Sequence, residues 1–158
     1  MVDVDVVTVK LAEILDRLER IRLHCPADAE ALATDRDALE RVSFNLILAV
    51  QAALDVASHV IADEAWPPAA TLAESFVRLH ERQVISAQTL AGVRPAASLR
   101  NILTQMYSTV DPAKVHLAAT VGLAELERFA EEVGTWVRER VLGEEDATAA
   151  PDEPATEG

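Results

Sequence analysis

A chain of 158 residues is one domain's worth, and an apolar half built from Ala, Leu and Val, with 5 Gly and 4% aromatic residues, favours packed helices over an all-β fold. The single cysteine, Cys25, excludes an intrachain disulfide or a cysteine-cluster zinc site and fits a cytoplasmic address, while the N-terminus lacks the basic flank of a signal peptide and the densest apolar run, Leu46 to Leu54, is interrupted by Gln51 and too short for a membrane span. A net charge of −13 argues against a broad basic face for nucleic acid.

Val7, Leu11, Ile14, Leu18, Ile21 and Cys25 recur at alternating spacings of four and three, which predicts a first helix ended by Pro26. Asp28 to Ala33 reads as a short helical connector. From about Asp35 to Glu64 a second helix carries Leu39, Val42, Leu46, Ala49, Ala53, Val56 and Val60 on one stripe. A further stripe of Phe44, Ile47, Leu54 and Ile61 makes it apolar on two faces, so it is central in its own domain or shared with a partner subunit. Trp66-Pro67-Pro68 breaks the chain, and Thr71 with Glu74 has capping-box spacing for a third helix over about 72 to 82. Ser86 is the expected N-cap of a fourth, running to Tyr107 with a kink or break at Gly92 and Pro95. Asp111-Pro112 then starts a fifth, whose stripe continues through Val115, Ala119, Gly122, Leu126, Phe129, Val133 and Trp136.

The expected fold is all-α, an antiparallel bundle of four to five helices over residues 1–142. Residues 143–158, acidic and without a large apolar side chain, read as a disordered tail. The negative charge is unevenly spread. Between residues 82 and 114, Arg82, Arg94, Arg100 and Lys114 face the lone Asp111, a net of +3 in an acidic chain.

Most polar groupings have plain structural readings. His24 and Cys25 are adjacent and diverge on a helix, and the acids of the fifth helix lack the histidine companions of a di-iron bundle, so no metal is expected. Asp55 and His59, four apart, suggest a polar lock on the second helix. With no glycine-rich phosphate loop, nucleophile elbow or zinc-protease motif, no cofactor is expected either. Attention falls on Arg100-Asn101-Ile102-Leu103-Thr104-Gln105-Met106-Tyr107, at the end of the fourth helix and inside the acid-poor segment.

Here the sequence resembles the HepT family, the toxin half of a two-gene toxin–antitoxin system within the HEPN superfamily of helical nucleases. The resemblance covers about residues 37 to 133 and rests on ALER at 38–41, AALDVASHVIADE at 52–64 with its Asp-x-x-x-His, LRNILTQMY at 99–107 and VDPAKV at 110–115. It implies a homodimer in which two Arg-Asn-x-x-x-His-x-Tyr motifs face each other across a shared cleft and cleave RNA, either tRNA or mRNA, without metal. It also implies an MntA-type minimal nucleotidyltransferase antitoxin that silences the toxin by transferring AMP to the motif tyrosine. Position by position, the arginine falls on Arg100, the asparagine on Asn101 and the tyrosine on Tyr107, while Gln105 occupies the histidine position.

The residue chemistry fits that division. A guanidinium grips a phosphate with two parallel donors, and an imidazole beside it takes the proton from an attacking ribose 2′-hydroxyl. Gln105 donates and accepts hydrogen bonds but does not titrate near neutrality, so this chain is expected to be an impaired nuclease. Gln105 is either an engineered replacement that permits expression of a toxic protein or the natural residue of a branch that has given up cleavage. The alternative to a nuclease is a non-catalytic HEPN dimer that binds nucleotide or a nucleotidyltransferase partner as a regulatory module.

Overall fold

The computed structural model describes residues 1–105 and 107–149, which form seven helices and no strand. They are α1 (Val4–His24), α2 (Ala29–Thr34), α3 (Arg36–Asp63), α4 (Leu72–Glu81), α5 (Ala87–Gln105), α6 (Pro112–Thr120) and α7 (Leu123–Thr148), with a single 3₁₀ turn at Tyr107–Thr109 between α5 and α6. The all-α expectation holds.

Local chemistry sets most of the helix starts. The Thr71 hydroxyl accepts from the Glu74 N–H at 3.2 Å, the Ser86 hydroxyl from the Thr89 N–H at 3.2 Å, and the Asp111 carboxylate from the Ala113 N–H at 3.0 Å. Each satisfies a donor that the first helical turn leaves without a partner. Asp28 and Asp35 cap α2 and α3 in the same way.

Four long helices alternate in direction. Ion pairs and hydrogen bonds run from Asp3 to Asp63, Lys10 to Asp55 and Arg17 to Asn45, so α1 lies antiparallel to α3. Ser86 reaches Glu132 and Gly92 lies under Glu125, so α5 runs against α7. On α3, Val42, Leu46, Ala49, Ala53, Val56 and Val60 are all buried, and so are Leu54 and Ile61 of its second stripe. Its apolar stretch is long enough to cross a bilayer by composition, yet 61% of that window is buried by the bundle's own helices. The two-faced helix is therefore central in its own domain, and Phe44, 57% exposed, is the large apolar side chain it leaves uncovered toward solvent.

The core is closed by Phe76 of α4 against Phe129 of α7, edge to face at 5.4 Å. Such a pair adds about 0.5–1.5 kcal/mol beyond the area it buries. At the end of α3, Trp66 meets Trp136 of α7 edge to face at 5.9 Å, flanked by the Arg82 guanidinium over Trp66 and that of Arg140 over Trp136.

Three expectations need correction. The periodic run after Asp111 is two helices: α6 ends at Thr120 and α7 starts at Leu123. Val121 and Gly122 keep right-handed helical angles, but the Gly122 N–H bonds back to the Leu117 carbonyl at 3.1 Å, five residues earlier, which offsets the two axes. Gly122 is needed there because a Cβ would meet the Ala118 carbonyl oxygen at 2.7 Å. Conversely, of the kink or break expected at Gly92 and Pro95, the break does not occur: α5 is one continuous helix. Pro95 lies within it, and both Pro95 and Ala91, whose carbonyl loses its helical donor, are exposed, which leaves this turn open to solvent. At the C-terminus, α7 continues six residues past the expected boundary at 142, because Glu144, Glu145 and Ala147 are good helix formers that extend a helix packing has already started; the remainder of the expected tail, 150–158, lies outside the described residues.

Candidate functional site

Arg100 sits on the last turns of α5 with its guanidinium held from two sides. One terminal nitrogen donates to Asn101 Oδ1 at 2.8 Å, and the other donates to Gln51 Oε1 on α3. Gln51 in turn donates from Nε2 to Asp55 Oδ1 at 2.8 Å, and the other oxygen of Asp55 lies 3.5 Å from Lys10 Nζ on α1, which also meets Glu13 at 3.3 Å. The guanidinium is thus the end of a polar relay across three helices.

The relay is electrostatically settled. Burial lowers the proton affinity of Lys10, but the hydrogen bond and charge of Glu13 and the charge of Asp55 outweigh it and hold its pKa above the ordinary 10.5. Lys10 stays cationic at neutral pH and neutralises Asp55, so the carboxylate does not compete for Arg100. Two of the five N–H groups of Arg100 are occupied by this relay, and its Nε is buried with no acceptor among the described residues.

Asn101 and Gln105 are one helical turn apart on an exposed face, and Gln105 is the final residue of α5. Arg100 and Gln105, five apart, point in different directions around that helix. Tyr107 opens the 3₁₀ turn that follows, and its side chain lies outside the described residues. The structure therefore joins Arg100 and Asn101 by a direct hydrogen bond and leaves Gln105 on the same helix end.

The expected Asp55–His59 pair does not form. His59 lies 3.0 Å from Asp63, the carboxylate one turn further on, and Asp55 turns to Gln51 and Lys10. Two other histidines are also engaged away from Arg100: His80 Nδ1 with the Ile85 carbonyl at 3.1 Å, and His116 Nε2 with the Pro26 carbonyl at 2.9 Å. Gln51 and Lys10 were not expected at the site. The one sign of Gln51 was its polarity in the middle of an apolar run, and Lys10 gave no sign at all, because its distance from Asp55 is spatial and not local.

A family model described as ribonuclease HepT-like matches residues 14–133, three-quarters of the chain, which takes in Gln51, Asp55, Arg100 and Asn101 but begins after Lys10 and Glu13. The chain belongs to the HepT-like ribonuclease family. A curated relative, the tRNA nuclease HepT of Aphanizomenon flos-aquae (strain 2012/KM1/D3), is 25% identical over 92 residues, which are 58% of this chain and 63% of that protein. Among solved structures, a toxin–antitoxin crystal structure with AMP-PNP superposes with a TM-score of 0.77 at 21% identity, covering 83% of this chain and 98% of that one. The tri-AMPylated Shewanella oneidensis HEPN toxin in complex with MNT antitoxin gives 0.76 at 21% identity, covering 85% and 99%. YutE of Bacillus subtilis, a cytosolic protein of unknown function, gives 0.78 at 13% identity, covering 89% and 94%. At these identities the three structures establish the shared all-helical fold of this HepT-like chain.

Proposed function

We propose that this HepT-like protein is the toxin component of a HepT/MntA-type toxin–antitoxin pair, an RNA-binding cytoplasmic homodimer whose composite site is built around Arg100. The observation that carries the reading is the held guanidinium of Arg100: fixed by Gln51 and Asn101, it keeps the second N–H of each terminal nitrogen for a phosphate, while Nε is buried. Phe44, exposed by 57%, supplies apolar surface for a second copy. Phe44 lies two turns before Gln51 on the same face of α3, so a partner seated there brings its own Arg100 toward the shared cleft.

In the complete family motif a histidine removes the proton of the ribose 2′-hydroxyl as its oxygen attacks the adjacent phosphorus, and the 5′-oxygen leaves with a proton. Arg100 neutralises the phosphate charge that builds in between. Gln105 supplies neither proton step, and His59, His80 and His116 are held elsewhere. A rate loss of about 10²- to 10⁴-fold follows from the missing acid–base group. That same observation favours a second reading, in which this chain is a non-catalytic dimer that retains RNA, nucleotide or antitoxin binding.

Silencing by a minimal nucleotidyltransferase does not need the histidine. The Tyr107 hydroxyl attacks the α-phosphate of ATP, loses its proton, and pyrophosphate leaves. The new phosphodiester places one negative charge on the turn after α5, where it competes with RNA for Arg100.

The deciding experiment compares the protein with its Gln105→His variant on tRNA and mRNA. Cleavage and growth arrest from the histidine form, absent in Arg100→Ala, support the nuclease reading; no cleavage by either form rejects it, and retained RNA affinity then supports the binding module. Intact mass after incubation with an MntA-type enzyme and ATP is expected to rise in AMP steps that vanish in Tyr107→Phe. An unchanged pattern in that variant rejects the modification site.

A further inference from the structure

Beside Arg100 lies a groove of about 580 Å³ between α3, α5, α6 and α7. Leu46, Val50 and Leu126 form its buried floor, Ile102, Leu117 and Val121 its exposed apolar rim, and the charged side chains that line it are Arg100 and Lys114. Among the described residues no carboxylate lines it, in a protein with 27 acids and 14 bases. Glu125, which packs over Gly92 at one end, is already neutralised by Arg128 at 2.7 Å.

An apolar wall with a cationic mouth fits a ligand that is flat and apolar on one part and anionic on another. A purely apolar occupant would leave both cations desolvated without a counter-charge, which is costly. A phosphate alone would leave the exposed rim of Ile102, Leu117 and Val121 in water. The volume suits one unpaired nucleotide, and a stacked base in a duplex could not turn into it.

We propose that this groove is a nucleotide subsite, in which an unstacked base lies against Leu99 and Leu117 and its phosphate is shared by Lys114 and Arg100. The inference rests on the RNA-binding reading of Arg100 and deepens it: the protein selects single-stranded positions, and the base next to the contacted phosphate occupies the groove. The same chemistry admits a free nucleotide such as AMP, so the two sources are tested separately.

The test measures the full-length protein's affinity for a labelled single-stranded RNA, for the same strand carrying abasic nucleotides, for its duplex and for AMP. The variants are Lys114→Ala and Val121→Glu, both at exposed positions on the groove, with Arg138→Ala on the far side of α7 as a charge control. Expected results are tighter binding of the intact strand than of the abasic strand or duplex, and a loss of roughly tenfold or more in Lys114→Ala, as for removal of a charge-assisted contact. Val121→Glu is expected to abolish the preference for an intact base, and Arg138→Ala to leave it in place. Weakening of AMP as well as RNA supports a general nucleotide seat; weakening of RNA alone, with the base preference lost, supports a seat that needs the polymer. Equal affinity for intact and abasic strands overturns the proposal, as does an unchanged affinity in Lys114→Ala. A loss of the base preference only when Val121→Glu also changes the sedimenting mass assigns the groove to a second copy and overturns it too. If Arg100→Ala leaves RNA affinity intact, the underlying reading of Arg100 fails; if that variant fails to bind while both groove variants bind normally, only the subsite is lost.

Discussion

Replacing Gln51 by leucine separates what holds the bundle together from what holds Arg100. The substitution removes the acceptor of one Arg100 N–H and the donor to Asp55, and puts an apolar residue back into the apolar run of α3. Hydrogen bonds to charged groups are worth about 1.5–3 kcal/mol each when a buried partner is stranded. Here Gln51, Asp55 and Arg100 are all half-buried, so water replaces most of the loss, and Asp55 keeps Lys10. Leucine is also a better helix former in packed surroundings. The net change in stability is therefore expected within about 1 kcal/mol, which is about 2–4 °C in Tm for a chain of this size. Function responds differently, because an untethered guanidinium must be ordered by the ligand itself. RNA affinity is expected to fall roughly tenfold, equivalent to about 1.4 kcal/mol. Thermal melts and fluorescence anisotropy on one preparation give both numbers. Unchanged affinity in a folded variant refutes the positioning role, and a Tm drop beyond 10 °C shows instead that the relay is part of the structural core.

Gly122→Ala is expected to cost about 1–3 kcal/mol, since the added methyl presses on the Ala118 backbone and repacking must move the start of α7; urea unfolding reads it directly, and a neutral effect means the junction is plastic. Burial pushes the Cys25 thiol above its ordinary 9.0, because the thiolate is the form that burial penalises. The neutral thiol's contribution to stability is thus complete below pH 9.0 and declines as pH rises through the raised folded value. Alkylation by iodoacetamide at about pH 8 should accordingly be slower in the folded chain than in urea, with equal rates counting against the burial.

Features decided within a turn of helix were legible in the sequence. The caps at Thr71, Ser86 and Asp111 each depend on an oxygen two or three residues from its donor, and all three form. Periodicity located α1 and α3 for the same reason. It failed at Gly122 because the stripe from Val115 to Trp136 passes through the offset without losing phase, and the cause is a backbone contact that no pattern encodes. Pro95 acted in the opposite sense: of the kink or break expected there the break is absent, since whether a proline breaks a helix depends on whether solvent reaches the freed carbonyl. Arg100 and Asn101 were visible as a motif, but the groups that orient the arginine were not. Asp55 had two acceptable partners one turn away on α3 and took Gln51, leaving His59 to Asp63. The choice was settled by Lys10, which reaches Asp55 from α1.

The two tryptophans, the chain's only ones, stand together beyond the end of α3. Gln51 lies thirteen residues before Glu64 on that helix, or about 20 Å along its axis at the usual rise. Intrinsic fluorescence is therefore a built-in optical channel for the integrity of the bundle that is blind to events at Arg100. Quenching by a titrated nucleotide would signal a global rearrangement and not local occupancy, and a constant emission through the same titration guarantees that any affinity change is read on an intact molecule.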